Sequence, residues 1–349
     1  MTEQQELRIN SLKLASNIHK NVVNDILDCY INNTITINLN NLNFYEITLL
    51  QLRNYIHNKI KDYDGELAFP IGLSGDCIVA HYTPLKLSEN MCSSLPYYIN
   101  PTSKISQFKI LKIDFGVHIN GFIIDKAFSL NISNTEKEAM LINASNAAVN
   151  TIINNIKIDS RLNELADYAR EIVESYEYKG EKLKIVENVY SHNINRWHVH
   201  GDKFIKPDYK SYDNIMDEIA LEGEQYAIEI YASDGIGTAE LLNQPNLNSH
   251  FRISKQFESS TLPLLKNEEH NKLLQKIKEN ETLPFCPHMI SLKLNKKVIS
   301  DYKKVNYLNE LHGFGILESY PPIIEKDSKC SVSQIEENII VSNYDAIKL

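Results

Sequence analysis

The chain has 349 residues, 43% of them hydrophobic and 23% charged, with 36 Lys and Arg against 45 Asp and Glu. That balance describes a globular protein able to bury one large core or two smaller ones. The net charge of -9 argues against a nucleic-acid binder that works by neutralising phosphates.

The first residues, Met1-Thr2-Glu3-Gln4-Gln5-Glu6, are polar and acidic, unlike a secretory leader. Five cysteines (Cys29, Cys77, Cys92, Cys286 and Cys330) stand apart with no CxxC pair. Their odd number and wide spacing suit a reducing compartment, and no apolar run is long enough for a membrane span. A cytoplasmic location without membrane contact is expected, with a monomer as the default.

In chain order, apolar residues Leu7, Ile9, Leu12, Leu14, Ile18, Val22, Val23, Ile26 and Leu27 predict a helix over residues 4–32. A second is expected over Phe44 to Ile60, with Thr48 and Asn58 on its solvent side. From Glu66 to Thr83 the chain reads as strand and turn, with Pro70, Gly72 and Gly75, and residues 88–106 read as loop. Phe108–Gly116 and Phe122–Ile132 are β-favouring runs joined across Asn120-Gly121, a strong hairpin signal. Helices follow over Thr135–Asn154 and Arg161–Glu177, then short strands from Leu183 to Ile230. Residues 262–316 turn helical and charge-laced, which reads as an inserted subdomain. Ser331 to Ser342 supplies a last strand after Pro321-Pro322, and no convincing repeat is read at the level of sequence.

Asp114 and Asp125 each interrupt an apolar strand of the hairpin, Lys112-Ile113-Asp114-Phe115-Gly116 and Ile123-Ile124-Asp125-Lys126-Ala127. A two-residue turn at Asn120-Gly121 pairs 119 with 122, so Gly116 opposes Asp125 and Asp114 opposes Ala127. Side chains alternate along a strand, so both aspartates share a face as diagonal neighbours about 7–8 Å apart at the backbone. Buried together, like charges need a cation between them. The alternative at this point is one surface aspartate and one ion pair to Lys112 or Lys126. His192, in Tyr190-Ser191-His192-Asn193, Glu229, in Tyr226-Ala227-Ile228-Glu229-Ile230, and Glu336, in Val332-Ser333-Gln334-Ile335-Glu336, extend the pattern. Four acids and a histidine form a hard, oxygen-rich set suited to Mn²⁺, Fe²⁺, Co²⁺ or Zn²⁺.

The order Asp, Asp, His, Glu, Glu resembles the pita-bread metallopeptidases. The flanks are similar to the type 2 methionine aminopeptidase family in Leu67-Ala68-Phe69-Pro70, Ala80-His81-Tyr82-Thr83-Pro84, Lys112 to Gly116, Gly121 to Phe128, Glu222 to Glu229 and Tyr320-Pro321-Pro322. The similarity runs from about residue 8 to the end. Glu229 and Glu336 lie 107 positions apart, and that length matches the helical insert of type 2. The chain is expected to begin at the first catalytic-domain helix, without the charged extension of many type 2 enzymes or the separate amino-terminal domain of prolidases. The implied fold is α+β, a central antiparallel sheet flanked by helices with an inserted helical subdomain. Residues 1–249 and 321–349 would form the catalytic domain and 250–320 the insert.

The resemblance implies two divalent metal ions per chain. Asp125 and Glu336 would bridge them, with Asp114 completing one site and His192 and Glu229 the other. A bridging water or hydroxide would attack the scissile carbonyl of a nascent polypeptide that begins with Met followed by a small residue. His200 would hydrogen-bond the substrate backbone and steady the oxyanion, and His81 would contact the amine end. The methionine side chain would enter a pocket of Phe69, Val199, His250 and Tyr320. Work on nascent chains would bring the protein to the ribosome, for which Lys293-Leu294-Asn295-Lys296-Lys297 and Lys303-Lys304 are modest basic clusters, more simply read as solvated helix face. The sequence departs from the family pattern at Ser191 and Asn195, where glycines are usual, at Asn193, and at Ile230. Rival readings are a catalytically impaired pita-bread binding protein on ribosome or RNA, and a prolidase-like or aminopeptidase P-like enzyme.

Overall fold

The computed structural model describes residues 2–207, 218–242, 244, 247–258, 263, 265–291, 293–294 and 297–349; the side chains of residues 293, 294, 297 and 298 are left aside. Helix α1 (Glu3–Ile31) opens on a reciprocal cap: the Thr2 hydroxyl accepts from Gln5 N–H and the Gln5 side chain accepts from Thr2 N–H. Helix α2 (Leu49–Asp62) opens on the same device, built from Thr48 and Gln51. Thr48 is therefore not on a solvent face within the helix, as its period suggested, but the residue that starts it. Phe44–Glu46 forms a separate short turn of 3₁₀ helix.

Strand β1 (Gly72–Gly75) is followed by a long hairpin, β2 (Ile110–Ile119) and β3 (Phe122–Asn131). Its turn is Asn120-Gly121, with φ of +54° and +78°, the left-handed pair a two-residue hairpin needs. Ile119 faces Phe122, Gly116 faces Asp125 and Asp114 faces Ala127, the register expected from the turn. Between β1 and the hairpin, three single turns of helix (Glu89–Cys92, Tyr97–Ile99, Ile105–Gln107) replace the expected loop.

Helices α3 (Glu136–Asn155) and α4 (Leu162–Ser175) lead into strands β4 (Ser191–Ile194) and β5 (Gln225–Ser233). The next segment contains β6 (His250–Ile253), α5 (Glu268–Lys278), α6 (Asp301–Gly313) and β7 (Leu317–Tyr320). Strand β8 (Val332–Val341) returns to the centre of the main sheet, whose central run is β4-β5-β8-β3-β2, antiparallel throughout, with β1 also pairing β2 and with short strands Phe204–Ile205 and Glu66–Leu67 outside β4 and β2.

One face of this sheet is apolar. Ile113, Phe115, Val117 and Ile124 from the hairpin pack in one cluster with Leu12, Ala15, Ile18 and Val22 of α1. Ile228, Ile230, Ala232, Ile339 and Val341 pack in another with α3 and α4. Because side chains alternate, Asp114, Asp125, Glu229 and Glu336 all point away from the helices. The segment from 250 to 320 packs on a third cluster that includes Phe251, Leu273, Phe285, Leu308 and Leu311. Lys304 does not belong to a basic surface: it is 4% exposed, and its Nζ lies 3.0 Å from Asp301 and donates to the Ile290 carbonyl at 3.0 Å. Of Lys293–Lys297, Asn295 and Lys296 lie outside the described residues. Among the described residues, no helix is long and apolar enough to cross a membrane.

Candidate metal centre

The register of four strand pairs lays one row of residues across the sheet: Gly72, Asp114, Ala127, Glu336, Glu229. A second row two residues away brings Gly116 opposite Asp125, and Asn338, Ala227 and His192 into line. Ala127 thus separates Asp114 from Glu336, and Ala227 separates Asn338 from His192, small residues that leave room beside the carboxylates. Gly116 is needed for a different reason: a Cβ there would lie 2.3 Å from the Phe69 ring.

Asp125, His192 and Glu336 are buried at 3%, 2% and 4% exposure and present ligand atoms within 4.8 Å of one another. The His192 ring donates from Nδ1 to the Asn193 carbonyl at 3.3 Å, which leaves the Nε2 lone pair free. That Nε2 lies 3.7 Å from Asp125 and 4.0 Å from Glu229. Burial lowers the pKa of His192 to about 4, so the ring is neutral at pH 7 and these contacts are not ion pairs. Asp114 accepts from Gln334 Nε2 at 3.2 Å, while its other oxygen is buried without a partner.

Unneutralised, the carboxyls hold their protons strongly. Burial raises Asp114 to about 6 and Glu229 to about 8. Asp125 and Glu336 rise well above the usual range, first from burial and then from the charges of neighbouring acids. Neither Lys112 nor Lys126 relieves them. Lys112 donates to the carbonyls of Asp76 and Val332, and Lys126 pairs with Glu337 at 2.9 Å, so the ion-pair alternative for the hairpin aspartates falls. A buried acid cluster with an orphaned oxygen and a free imidazole lone pair fits divalent cations of the hard or borderline kind.

A cavity of about 80 Å³ opens beside this row and brings together every residue singled out from the sequence: Asp114, Asp125, His192, Glu229 and Glu336, with His81, His200, Phe69, Val199, His250 and Tyr320. His200 stacks edge-on to His192 at 4.4 Å between centroids, and His81 lies 5.5 Å from His250 and 5.9 Å from Tyr320. His81 holds a left-handed φ of +62°, a strain typical of functional positions. Burial lowers His81 to about 4 and His250 well below the imidazole range, so these two rings are neutral at pH 7.

The sequence profile of metallopeptidase family M24 matches residues 10–244. The chain belongs to family M24. Among its curated relatives, methionine aminopeptidase 2 of Komagataella phaffii is 31% identical over 306 residues, 84% of this chain and 62% of the relative. The M24 chain therefore spans under two thirds of that relative's length. Among solved structures, a thermophilic Arx1 superposes with a TM-score of 0.71 at 14% identity, covering 100% of this chain and 91% of that one. The methionine aminopeptidase of Rickettsia prowazekii gives 0.58 at 14% identity, over 100% and 97%. These likenesses establish the pita-bread fold for this M24 chain, and membership of a metallopeptidase family implies a divalent metal as cofactor.

The reading from sequence missed Tyr231, Pro284 and Val189 in the cavity wall and Gln334 beneath Asp114. Tyr231 and Gln334 were within reach: each stands two residues from an acid on the same strand and so shares its face. Neither Ser191 nor Asn195 has a left-handed φ, whereas Trp197 does, at +66°.

Proposed function

We propose that this chain is a dinuclear-metal aminopeptidase that releases N-terminal methionine from polypeptides whose second residue is small. The observation that carries this reading is the row of acids on the sheet, with His192 presented from the adjacent row, all lining one cavity. Asp125 and Glu336, shared, would hold two divalent cations together with Asp114 on one side and with His192 and Glu229 on the other. When bound, such cations supply Lewis acidity and lower the pKa of water to about 7.

The protein's own groups do the rest. The acid cluster anchors the amine end of the substrate, with His81 beside it. His200 lines the cavity beside His192, where its N–H can hydrogen-bond the scissile carbonyl as negative charge develops on oxygen. Phe69, Val199, His250 and Tyr320 receive the methionine side chain; a flexible thioether suits a narrow apolar slot, and uncharged imidazoles give no partner to a charged side chain. His250 and Tyr320 face each other across β6 and β7, where the segment from 250 to 320 leaves and rejoins the chain. That pairing supports reading the segment as an insert between the catalytic portions 1–249 and 321–349.

The test is to strip the purified protein of metal, reload it with Mn²⁺ or Co²⁺, and offer Met-Ala-Ser and Leu-Ala-Ser. Metal-dependent release of Met but not Leu, lost in Asp125→Ala, is the expected result. Binding of metal without release from either peptide would favour a binding protein on the same fold.

A further inference from the structure

Strands β4 and β5 pair through Ile194↔Gln225, Asn193↔Tyr226 and His192↔Ala227. The next rung of the same kind would set the Tyr190 backbone against Glu229. The ladder ends before that rung, and the Ser191 side chain occupies its place. Ser191 Oγ accepts from the Glu229 N–H at 3.0 Å and donates to the Glu229 carbonyl at 2.9 Å. One hydroxyl thus satisfies both backbone groups of Glu229, and Ser191 is only 1% exposed, so solvent does not compete for them.

We propose that Ser191 is a positioning residue of the metal centre: its hydroxyl fixes the backbone of Glu229 while its own backbone leads directly into His192. It thereby sets the separation of two ligands that come from different strands, now 4.0 Å between His192 Nε2 and Glu229 Oε1. The inference rests on the reading that these two residues hold one cation, and adds what holds them in register. A glycine or alanine at 191 has no atom to make either bond, and leaves the N–H and C=O of a ligand-bearing residue buried without partners. Serine where glycine is usual is therefore another way to finish the strand, at ordinary φ. A ligand whose support is lost costs affinity rather than removing the site.

The experiment titrates metal-free wild-type protein, Ser191→Ala, Ser191→Gly and Ser191→Thr with Co²⁺, following heat and visible absorption. In the Ala and Gly variants one of two binding events should weaken about 10- to 100-fold while the other is unchanged, and Thr, which keeps the hydroxyl, should restore it. Wild-type affinities for both ions in Ser191→Ala would overturn the proposal. So would an equal loss at both sites, or a Thr variant as defective as Ala although folded. Wild-type protein that binds two Co²⁺ ions but releases no methionine would refute the aminopeptidase reading and leave this inference standing.

Discussion

Glu336 is 4% exposed, faces Glu229 across the sheet and lies beside Asp125, and burial together with those charges drives its pKa far upward. A group in that position is poorly stabilised until a cation arrives, so the metal-free protein carries a cost at this residue. Glu336→Gln keeps the shape and removes the need to take up a proton on folding. In chelator it should unfold at higher urea than wild type, by about 1–2 kcal/mol. With excess Mn²⁺ the order should reverse, because ligand bound only to the folded wild type adds about 2.7 kcal/mol at a hundred times its Kd. A metal-free variant less stable than wild type would mean that hydrogen bonds already compensate Glu336. The four acids were legible in the sequence because each interrupts an apolar β-run, where a lone charge is costly. Ser191 was legible only as a departure from a pattern. Its bonds to Glu229 join residues 38 apart in sequence, and no local spacing encodes them.

At the scale of the element, the hairpin's far side is held by α1. The His19 ring stacks on Phe115 at 4.2 Å between centroids and donates from Nε2 to the Phe115 carbonyl at 3.1 Å, directly behind Asp114. Burial, and then the charge of Lys126, lower the pKa of His19 to about 3. Its folded pKa is therefore depressed below the unfolded value near 6.5. Below about pH 6.5 the unfolded chain gains a proton that the folded chain refuses, so this contribution is complete above that pH and is lost as pH falls, by about 1.4 kcal/mol per unit. His19→Gln keeps an N–H for the carbonyl and does not titrate. Urea unfolding at pH 7, 6 and 5 should show wild type losing stability faster than the variant by about that slope, the other histidines being common to both. Parallel slopes would mean that His19 takes up its proton without unfolding. The hairpin itself was readable to the residue, since Asn120-Gly121 fixes the turn and the turn fixes the register. The start of α2 was not: Thr48 fits the helical period, and only its bonds with Gln51 reveal a cap.

Across the whole molecule, the floor and one wall of the cavity rest on different cores. The acids stand on the sheet, backed by α1, α3 and α4, whereas His250, Pro284 and Tyr320 come from the segment with its own cluster around Phe251, Phe285, Leu308 and Leu311. The 107-position separation of Glu229 and Glu336 announces extra chain, but not that its two ends meet as His250↔Tyr320 beside the site. That closure depends on pairing over long separation, which periodicity does not record. Phe251 and Phe285 exchange backbone bonds of 2.9 and 2.7 Å, so Pro284 is fixed to β6 and moves with it. If the two cores are separate, loosening the insert should change the fit of the methionine side chain but not the hold on metal. Leu308 is fully buried on α6, and Leu308→Ala should cost about 2–5 kcal/mol of stability locally. We expect a higher KM for Met-Ala-Ser, faster hydrogen exchange confined to residues 250–320, and Co²⁺ affinities equal to wild type. Loss of Co²⁺ affinity in proportion to the rise in KM would instead mean that sheet and insert share one cooperative core. The site would then be held as a single body rather than as a metal floor with a separately supported specificity wall.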